Sequence, residues 1–367
     1  MSQKKSHNKS ALRVNAGVEK PENINPQFRQ KTGLFKKPKP TVQTYFEGIR
    51  SGDRTLLSRA ITLIESTLPQ DQQQAAELVN RCLPFSGNAL RIGITGTPGA
   101  GKSTFIESFG LMLMEQGHRV AVLAIDPSSQ RSHGSILGDK TRMERLSTNP
   151  NAFIRPSASA GTLGGVARKT REAMILCEAA GFDIVFVETV GVGQSETAVA
   201  RMVDFFLLLM IAGGGDELQG IKRGIMEMAD LIVINKADGE NKHRAETTRR
   251  EFENALHLFA PLPNGWHPSV LTASALYGEN LKKIWEQIQT FVQLTRENGA
   301  FEAKRKNQDE QLFLETLQQA VLDRFFRHPE IKKQLEEYKA LISQRKISPY
   351  EASRQLLDLY YNRDGRR

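Results

Sequence analysis

Gly96-Thr97-Pro98-Gly99-Ala100-Gly101-Lys102-Ser103-Thr104 decides how the rest of the chain reads. The apolar run Leu90–Thr95 precedes it, and Phe105–Met114, apolar at helical spacing, follows it. A strand that passes through a glycine loop into a helix is the context a phosphate-binding loop requires. Gly96, Gly99 and Gly101 let the backbone curl so that several N–H groups point at one anion. The helix that starts near Lys102 adds its positive end. The Lys102 ammonium can reach β- and γ-phosphates, and the Ser103 hydroxyl can ligate Mg²⁺. An ordinary glycine turn between strand and helix would need neither residue in register.

The chain has 367 residues and a net charge of +9, which would point to nucleic acid if the charge were spread over the fold. It is not spread. Residues 1–40 hold ten Lys/Arg against two acids, +8, and the remainder holds forty against thirty-nine, +1. The tail has four prolines, at 21, 26, 38 and 40, and no periodicity, so it reads as a disordered basic segment. Cys82 and Cys177 stand far apart without paired spacing, which argues against a disulfide framework or a zinc site and for a reducing compartment. The longest apolar run, Phe205–Ala212, is too short to cross a bilayer and suits a buried strand. No membrane or nucleic-acid partner is expected. The N-terminus lacks an apolar signal core and is poor in arginine, so a cytoplasmic bacterial protein is expected.

Outward from the glycine loop the organisation falls into four parts: a tail at 1–40, a helical extension at 41–88, an α/β domain at 89–298 and a helical arm at 299–367. In the extension Pro69 separates two predicted helices and Pro84 closes the second. The α/β part alternates. Strands are predicted at Leu90–Thr95, Arg119–Ile125, Phe153–Arg155, Phe182–Val187, Phe205–Ile211, Leu231–Ile234 and Ser269–Thr272. Helices between them are predicted near Asp139–Ser147, at Val166–Ala180, Lys242–Leu258 and Glu279–Glu297. Fully apolar strands in this alternation predict a mainly parallel sheet with helices on both faces. Ligands of such a sheet bind beyond the carboxyl ends of its strands. After Gly299 the pattern is purely helical, with Ser348-Pro349 opening a last helix.

Asn235-Lys236-Ala237-Asp238 follows an apolar strand expected to lie beside the first one. A carboxylate at Asp238 can accept from both the ring N–H and the exocyclic amine of guanine. Adenine offers no such pair, so the site would reject it strongly. Asn235 can hold the loop, and the Lys236 stem can cover a face of the base. Ser274-Ala275-Leu276 follows the next strand, where backbone N–H groups can meet the guanine oxygen. Glu188-Thr189-Val190-Gly191 supplies an acid that reaches Mg²⁺ through water and a glycine N–H for the γ-phosphate. The glutamine that often follows that glycine is replaced by Val192, and Gln194 lies two places further on. Without a positioned water or an arginine finger, hydrolysis is expected at about 10⁻³ s⁻¹ or less. Asp126 and Asp139 flank a polar loop, 127–138, and either can approach the metal or cap local structure. Gly213–Lys222 is a third candidate mobile loop.

These stretches together resemble one family. Gly96–Thr104, Asp126-Pro127-Ser128-Ser129, Leu137–Met143, Arg155-Pro156-Ser157, Gly161–Gly165, Glu188–Glu196 and Gly214–Glu227 resemble the MeaB/ArgK (MMAA-like) GTPases, over about residues 45–360. The resemblance implies a P-loop NTPase fold of the SIMIBI class with helical extensions at both ends, the C-terminal one serving homodimerisation. It implies GTP/GDP and Mg²⁺ as ligands. It also implies a chaperone for an adenosylcobalamin-dependent acyl-CoA mutase, methylmalonyl-CoA mutase above all, with adenosylcobalamin carried only by that partner. In a eukaryotic host it implies the mitochondrial matrix. By position, Lys102 and Ser103 would serve phosphate and Mg²⁺; Asp126, Asp139 and Glu188 would lie in metal and switch regions; Gly213–Lys222 would couple to the mutase; Asn235, Asp238 and Ser274–Leu276 would serve the base. A nickel-insertion GTPase would be expected to carry a histidine-rich run or paired cysteines, and the seven histidines are scattered. A nucleic-acid-associated NTPase would need basic residues interleaved with aromatics in the folded part.

Overall fold

The computed structural model describes residues 39–126, 143–158, 163–189, 195–212, 223–259 and 262–363. Val42–Arg367 cluster as one unit and Met1–Thr41 as another. At the centre of the larger unit are seven strands: β1 Leu90–Gly96, β2 Val120–Asp126, β3 Ala152–Ala158, β4 Ile184–Thr189, β5 Phe205–Ile211, β6 Leu231–Asn235 and β7 Ser269–Thr272. Their order is β3-β2-β4-β1-β5-β6-β7, and every neighbouring pair runs parallel. The chain leaves β1 in one direction and later crosses to β5 on its other side, so the carboxyl end of β1 is where the winding reverses. That is the position at which such sheets bind ligands.

The helices explain the apolar runs. Ile92 and Ile94 of β1 face a core built with Phe105, Phe109 and Leu113 of α4 (Lys102–Glu115) and with Ile284, Ile288 and Phe291 of α10 (Leu281–Glu297). On the opposite face, Val185 and Val187 of β4 pack into a core with Met174 and Cys177 of α6 (Leu163–Ala179). Leu57, Ile61 and Leu78 of the N-terminal helices belong to that same core, so the helical extension is anchored by burial. Where the sequence predicted two helices there are three: α1 Val42–Arg50, α2 Arg54–Glu65 and α3 Pro69–Cys82. The extra break is a turn at Gly52, after which Asp53 caps α2 by accepting from the N–H groups of Thr55 and Leu56. The short α5 begins at Glu144 and runs to Thr148. Two further helices precede and follow β6, α8 Arg223–Met228 and α9 Lys242–Leu256, and α7 Ser195–Ala200 follows β4.

The C-terminal part is α11 Ala300–Arg327, α12 Pro329–Ser343 and α13 Pro349–Arg363. Its first turns dock on the amino edge of the sheet, opposite the glycine loop. Arg305 clamps the Asp204 carboxylate from two nitrogens, Nε at 2.8 Å and Nη2 at 2.6 Å, and also donates to the carbonyls of Ala89 and Gly87. Gln308 donates to the Val203 carbonyl and accepts from Arg171 through its own carbonyl. Further along α11 the apolar residues Phe313, Leu314, Leu317 and Val321 are exposed. Among the described residues no helix is long and apolar enough to cross a membrane.

Candidate functional site at the carboxyl edge of the sheet

The glycine loop is shaped by contacts that only glycine tolerates. A Cβ on Gly96 would stand 2.0 Å from the Leu209 carbonyl oxygen, because β5 runs directly alongside. Gly101 has φ +84°, and a Cβ there would meet Asn235 Nδ2 at 2.9 Å. Gly101 is also the N-cap of α4 and brings no capping side chain. The first-turn N–H groups of α4 have no intrahelical acceptor, so an anion can take the place of the cap. Thr97, Pro98, Gly99 and Thr104 form the outer rim, while Ala100 is fully buried beneath it.

Lys102 folds back over the loop and donates to the carbonyls of Gly96, at 2.8 Å, and Thr97, at 3.2 Å. Burial pushes its pKa below the usual lysine value, and the carboxylates of Glu188 and Glu196 oppose that fall. An ammonium held on carbonyls at the loop's mouth can exchange them for phosphate oxygens. The Ser103 hydroxyl donates to Glu188 Oε1 at 3.2 Å. Glu188 is the penultimate residue of β4 and is buried, and Thr189, which ends the strand, donates to the Thr95 hydroxyl at 2.8 Å. These two oxygen donors fit Mg²⁺, a hard cation that prefers oxygen and retains water. Among the described residues no group of three or more His, Cys, Asp or Glu could hold a metal ion. Asp126 closes β2 at the same sheet edge. Asp139, Gly191, Val192 and Gln194 lie outside the described residues, as do 127–138 and 213–222.

The second loop cluster is joined to the first by one side chain. The strand before it, β6, is not the neighbour of β1 that the sequence suggested: β5 lies between them. Asn235 nonetheless reaches the glycine loop, donating from Nδ2 to the Ala100 carbonyl at 2.8 Å and accepting from the Ala275 N–H at 3.1 Å. Lys236 follows in the left-handed region, φ +57°, with its stem 3.8 Å from the Cβ position of Gly101. Asp238 is half-buried, and its Oδ2 accepts from the Ser274 hydroxyl at 2.5 Å. Ser274 also accepts from the Tyr277 N–H, which tightens the turn through Leu276. Leu276 itself is exposed. The Ala275 amide, expected to face a base, is committed to Asn235. The turn is closed by a bridge between Ser274 and Glu279.

The arrangement brings together all the candidate groups whose side chains are described. A lysine, a hydroxyl–carboxylate pair and a free-ended helix stand at one end; a half-buried carboxylate stands at the other. Two groups escaped the sequence reading. The Thr95–Thr189 hydroxyl pair left no signal beyond two threonines at strand ends. Glu196 stood in a quoted motif, and its spacing from Val199 on a short helix was the available clue. The cysteines offer no competing nucleophile: burial pushes Cys82 up to about 11 and Cys177 higher still.

A family model described as methylmalonyl Co-A mutase-associated GTPase MeaB matches residues 57–330. The chain belongs to the MeaB family of GTPases. It is 47% identical over 308 residues to the GTPase ArgK of Escherichia coli, covering 84% of this chain and 93% of that one. It is 46% identical over 341 residues to the mouse (Mus musculus) methylmalonic aciduria type A homolog, mitochondrial, covering 90% of this chain and 82% of that one. A putative GTPase of Caulobacter vibrioides is 54% identical over 307 residues, covering 84% and 94%. The crystal structure of a LAO/AO transport system kinase superposes with a TM-score of 0.69 at 39% identity, over 89% of this chain and all of that one. The MeaB-family match spans the glycine loop, Glu188, the Asn235–Asp238 turn and the first turns of α11, so the site and its distal docking surface lie within the family unit.

Proposed function

We propose that this MeaB-family GTPase binds GTP and GDP with Mg²⁺ across the two joined loop clusters and serves as a G-protein for an adenosylcobalamin-dependent acyl-CoA mutase. Methylmalonyl-CoA mutase is the client most in keeping with the family description. The observation that carries the nucleotide reading is the Asn235 bridge, which ties the phosphate loop to the base loop through two buried hydrogen bonds. In this reading Gly96–Thr104 holds the phosphates, with Lys102 leaving its two carbonyls for the β- and γ-oxygens. Ser103 and Glu188 hold Mg²⁺, directly and through water, with Asp126 and Asp139 as further candidates. Asp238, fixed by Ser274, pairs with guanine, and the Lys236 stem covers the base. Mg²⁺, when bound, supplies charge neutralisation to the departing phosphoryl group.

The residue after Gly191 is Val192, so the chain lacks a glutamine in the place that usually orients the attacking water. Slow intrinsic turnover follows, and a partner that completes the site would accelerate it. We assign residues 89–298 to the GTPase domain, 41–88 to a helical extension and 299–367 to a dimerisation arm. The exposed apolar positions of α11 support the arm as a homodimer surface. Cofactor loading and protection of the mutase would be gated by the nucleotide, in the cytoplasm of a bacterium or the mitochondrial matrix of a eukaryote.

The test is capture of the tagged protein from its native host with GDP or a non-hydrolysable GTP analogue, followed by GTPase assays with the captured mutase. A co-purified adenosylcobalamin mutase that raises the GTPase rate at least tenfold is expected. No complex and no acceleration with any such mutase would overturn the chaperone reading and leave the nucleotide reading standing.

A further inference from the structure

One buried carboxylate near the phosphate loop has no place in the reading above. Glu196 lies in α7, almost one turn before Val199. Val199 packs against β1: its Cγ1 is 2.9 Å from where a Cβ on Gly93 would stand. Thr95 lies two residues beyond Gly93 on the same face of β1. Because α7 follows the carboxyl end of β4 and packs on β1 through Val199, Glu196, three residues earlier, is directed toward the carboxyl end of β1, where the glycine loop begins. It is only 2% exposed, and its Oε2 has no hydrogen-bond partner among the described residues. A buried acceptor left unpaired calls for an explanation. Burial lowers the Lys102 pKa, and the charge of Glu196, after that of Glu188, opposes the fall. Glu188 is engaged by Ser103 and assigned to Mg²⁺, whereas Glu196 has no such duty.

We propose that Glu196 is a positioning residue of the phosphate site, a buried counter-charge to Lys102 that weakens triphosphate binding relative to diphosphate binding. The proposal rests on the assignment of Lys102 to the phosphates. Two effects of the carboxylate share one sign. It attracts the ammonium that the phosphates must recruit, and it repels the phosphates directly. Both grow with the charge placed beside Lys102, and GTP brings one more negative charge there than GDP. In a partly buried site one such charge changes an affinity by on the order of tenfold. The triphosphate is thereby bound under an electrostatic load that loss of the γ-phosphate relieves, which favours the step from GTP-bound to GDP-bound protein.

The experiment is calorimetric titration of the full-length protein with Mg²⁺ and either GDP or a non-hydrolysable GTP analogue. Glu196→Gln is expected to raise the ratio of analogue to GDP affinity about tenfold. Glu196→Asp, which keeps the charge, is expected to restore the wild-type ratio. A merely structural role predicts that both nucleotides weaken together in Glu196→Gln, and that result, or an unchanged ratio, would overturn the proposal. Glu196→Met, apolar and of similar length, reads the same ratio if the glutamine variant does not fold. Failure of both to fold while Glu196→Asp folds would assign the residue to the fold and also overturn it. Lys102→Ala separates the two readings. If that variant loses both nucleotides, the phosphate assignment stands whatever the ratio shows; if it keeps both, the assignment and this proposal fall together.

Discussion

Asn235 Nδ2 donates to the Ala100 carbonyl at 2.8 Å across 135 positions of sequence, and no other described side chain so directly makes the two loop clusters one site. The same amide accepts from Ala275 N–H. Asn235→Ala would leave a buried carbonyl and a buried N–H without partners, each worth about 1–3 kcal/mol. We expect a loss of about 2–4 kcal/mol in urea unfolding, and a fall in affinity for GTP and GDP alike, by tenfold or more, in calorimetry. Unchanged nucleotide affinity would separate the bridge from the site.

The proposed function rests selectivity for guanine on Asp238, whose Oδ2 accepts from the Ser274 hydroxyl. Asp238→Asn turns an acceptor toward the two guanine donors into a mixed donor–acceptor group. Discrimination between GTP and ATP should fall by two orders of magnitude or so. Ser274→Ala leaves the carboxylate in place but unheld and should cost about tenfold. Competition of ATP and GTP for a fluorescent guanine nucleotide measures both. Equal affinity of the wild-type protein for ATP and GTP would overturn the guanine assignment itself.

At the opposite edge of the sheet, Asp204 is 1% exposed and gripped by Arg305. Arg305→Met strands that carboxylate, which also accepts from the Arg91 N–H. Loss of one partner of a buried pair costs about 3–5 kcal/mol, and we expect a denaturant midpoint lowered accordingly. The double variant Arg305→Met with Asp204→Asn should recover part of it. Nucleotide affinity, read on the protein that remains folded, should move much less than stability does.

Asp230 supplies the pH dependence. Burial pushes its carboxyl above the usual aspartate range; Lys304, 3.9 Å away, and a hydrogen bond from the Phe206 N–H oppose the rise, and the Asp204 charge adds to it. A group raised on folding contributes stability below its unfolded pKa, and loses it as pH climbs through the folded value. Asp230→Asn, whose oxygen can still accept from Phe206, should therefore resemble wild type at pH 3.5–4 and gain on it toward pH 7. Urea midpoints for both proteins across that range check the sign. A wild-type advantage that grows with pH would show that Lys304 and Phe206 outweigh burial.

The linear chain disclosed the parts of the candidate site wherever chemistry is local. A glycine at 96, 99 and 101 followed by Lys102 and Ser103 needs only its neighbours to be read, because backbone curvature and the helix start are set within a few residues. Asp238 and Glu188 were legible in the same way, as polar residues at the ends of apolar runs. The family emerged from motifs of the same short range.

What the sequence by itself determined, then, was the parallel α/β class, the loops at one sheet edge and the residue types available there. Tertiary structure alone decided which of them meet. The adjacency of β5 to β1 follows from the packing of seven strands and displaced β6 by one position, since apolar strands carry no label for their neighbours. The Asn235 bridge, the capture of Arg305 by Asp204 and the hydrogen bond of Ser103 to Glu188 all join residues remote in sequence. Such pairings are fixed by the sheet and the helices that cover it, because only a closed core forces each buried polar atom to find a partner or remain without one.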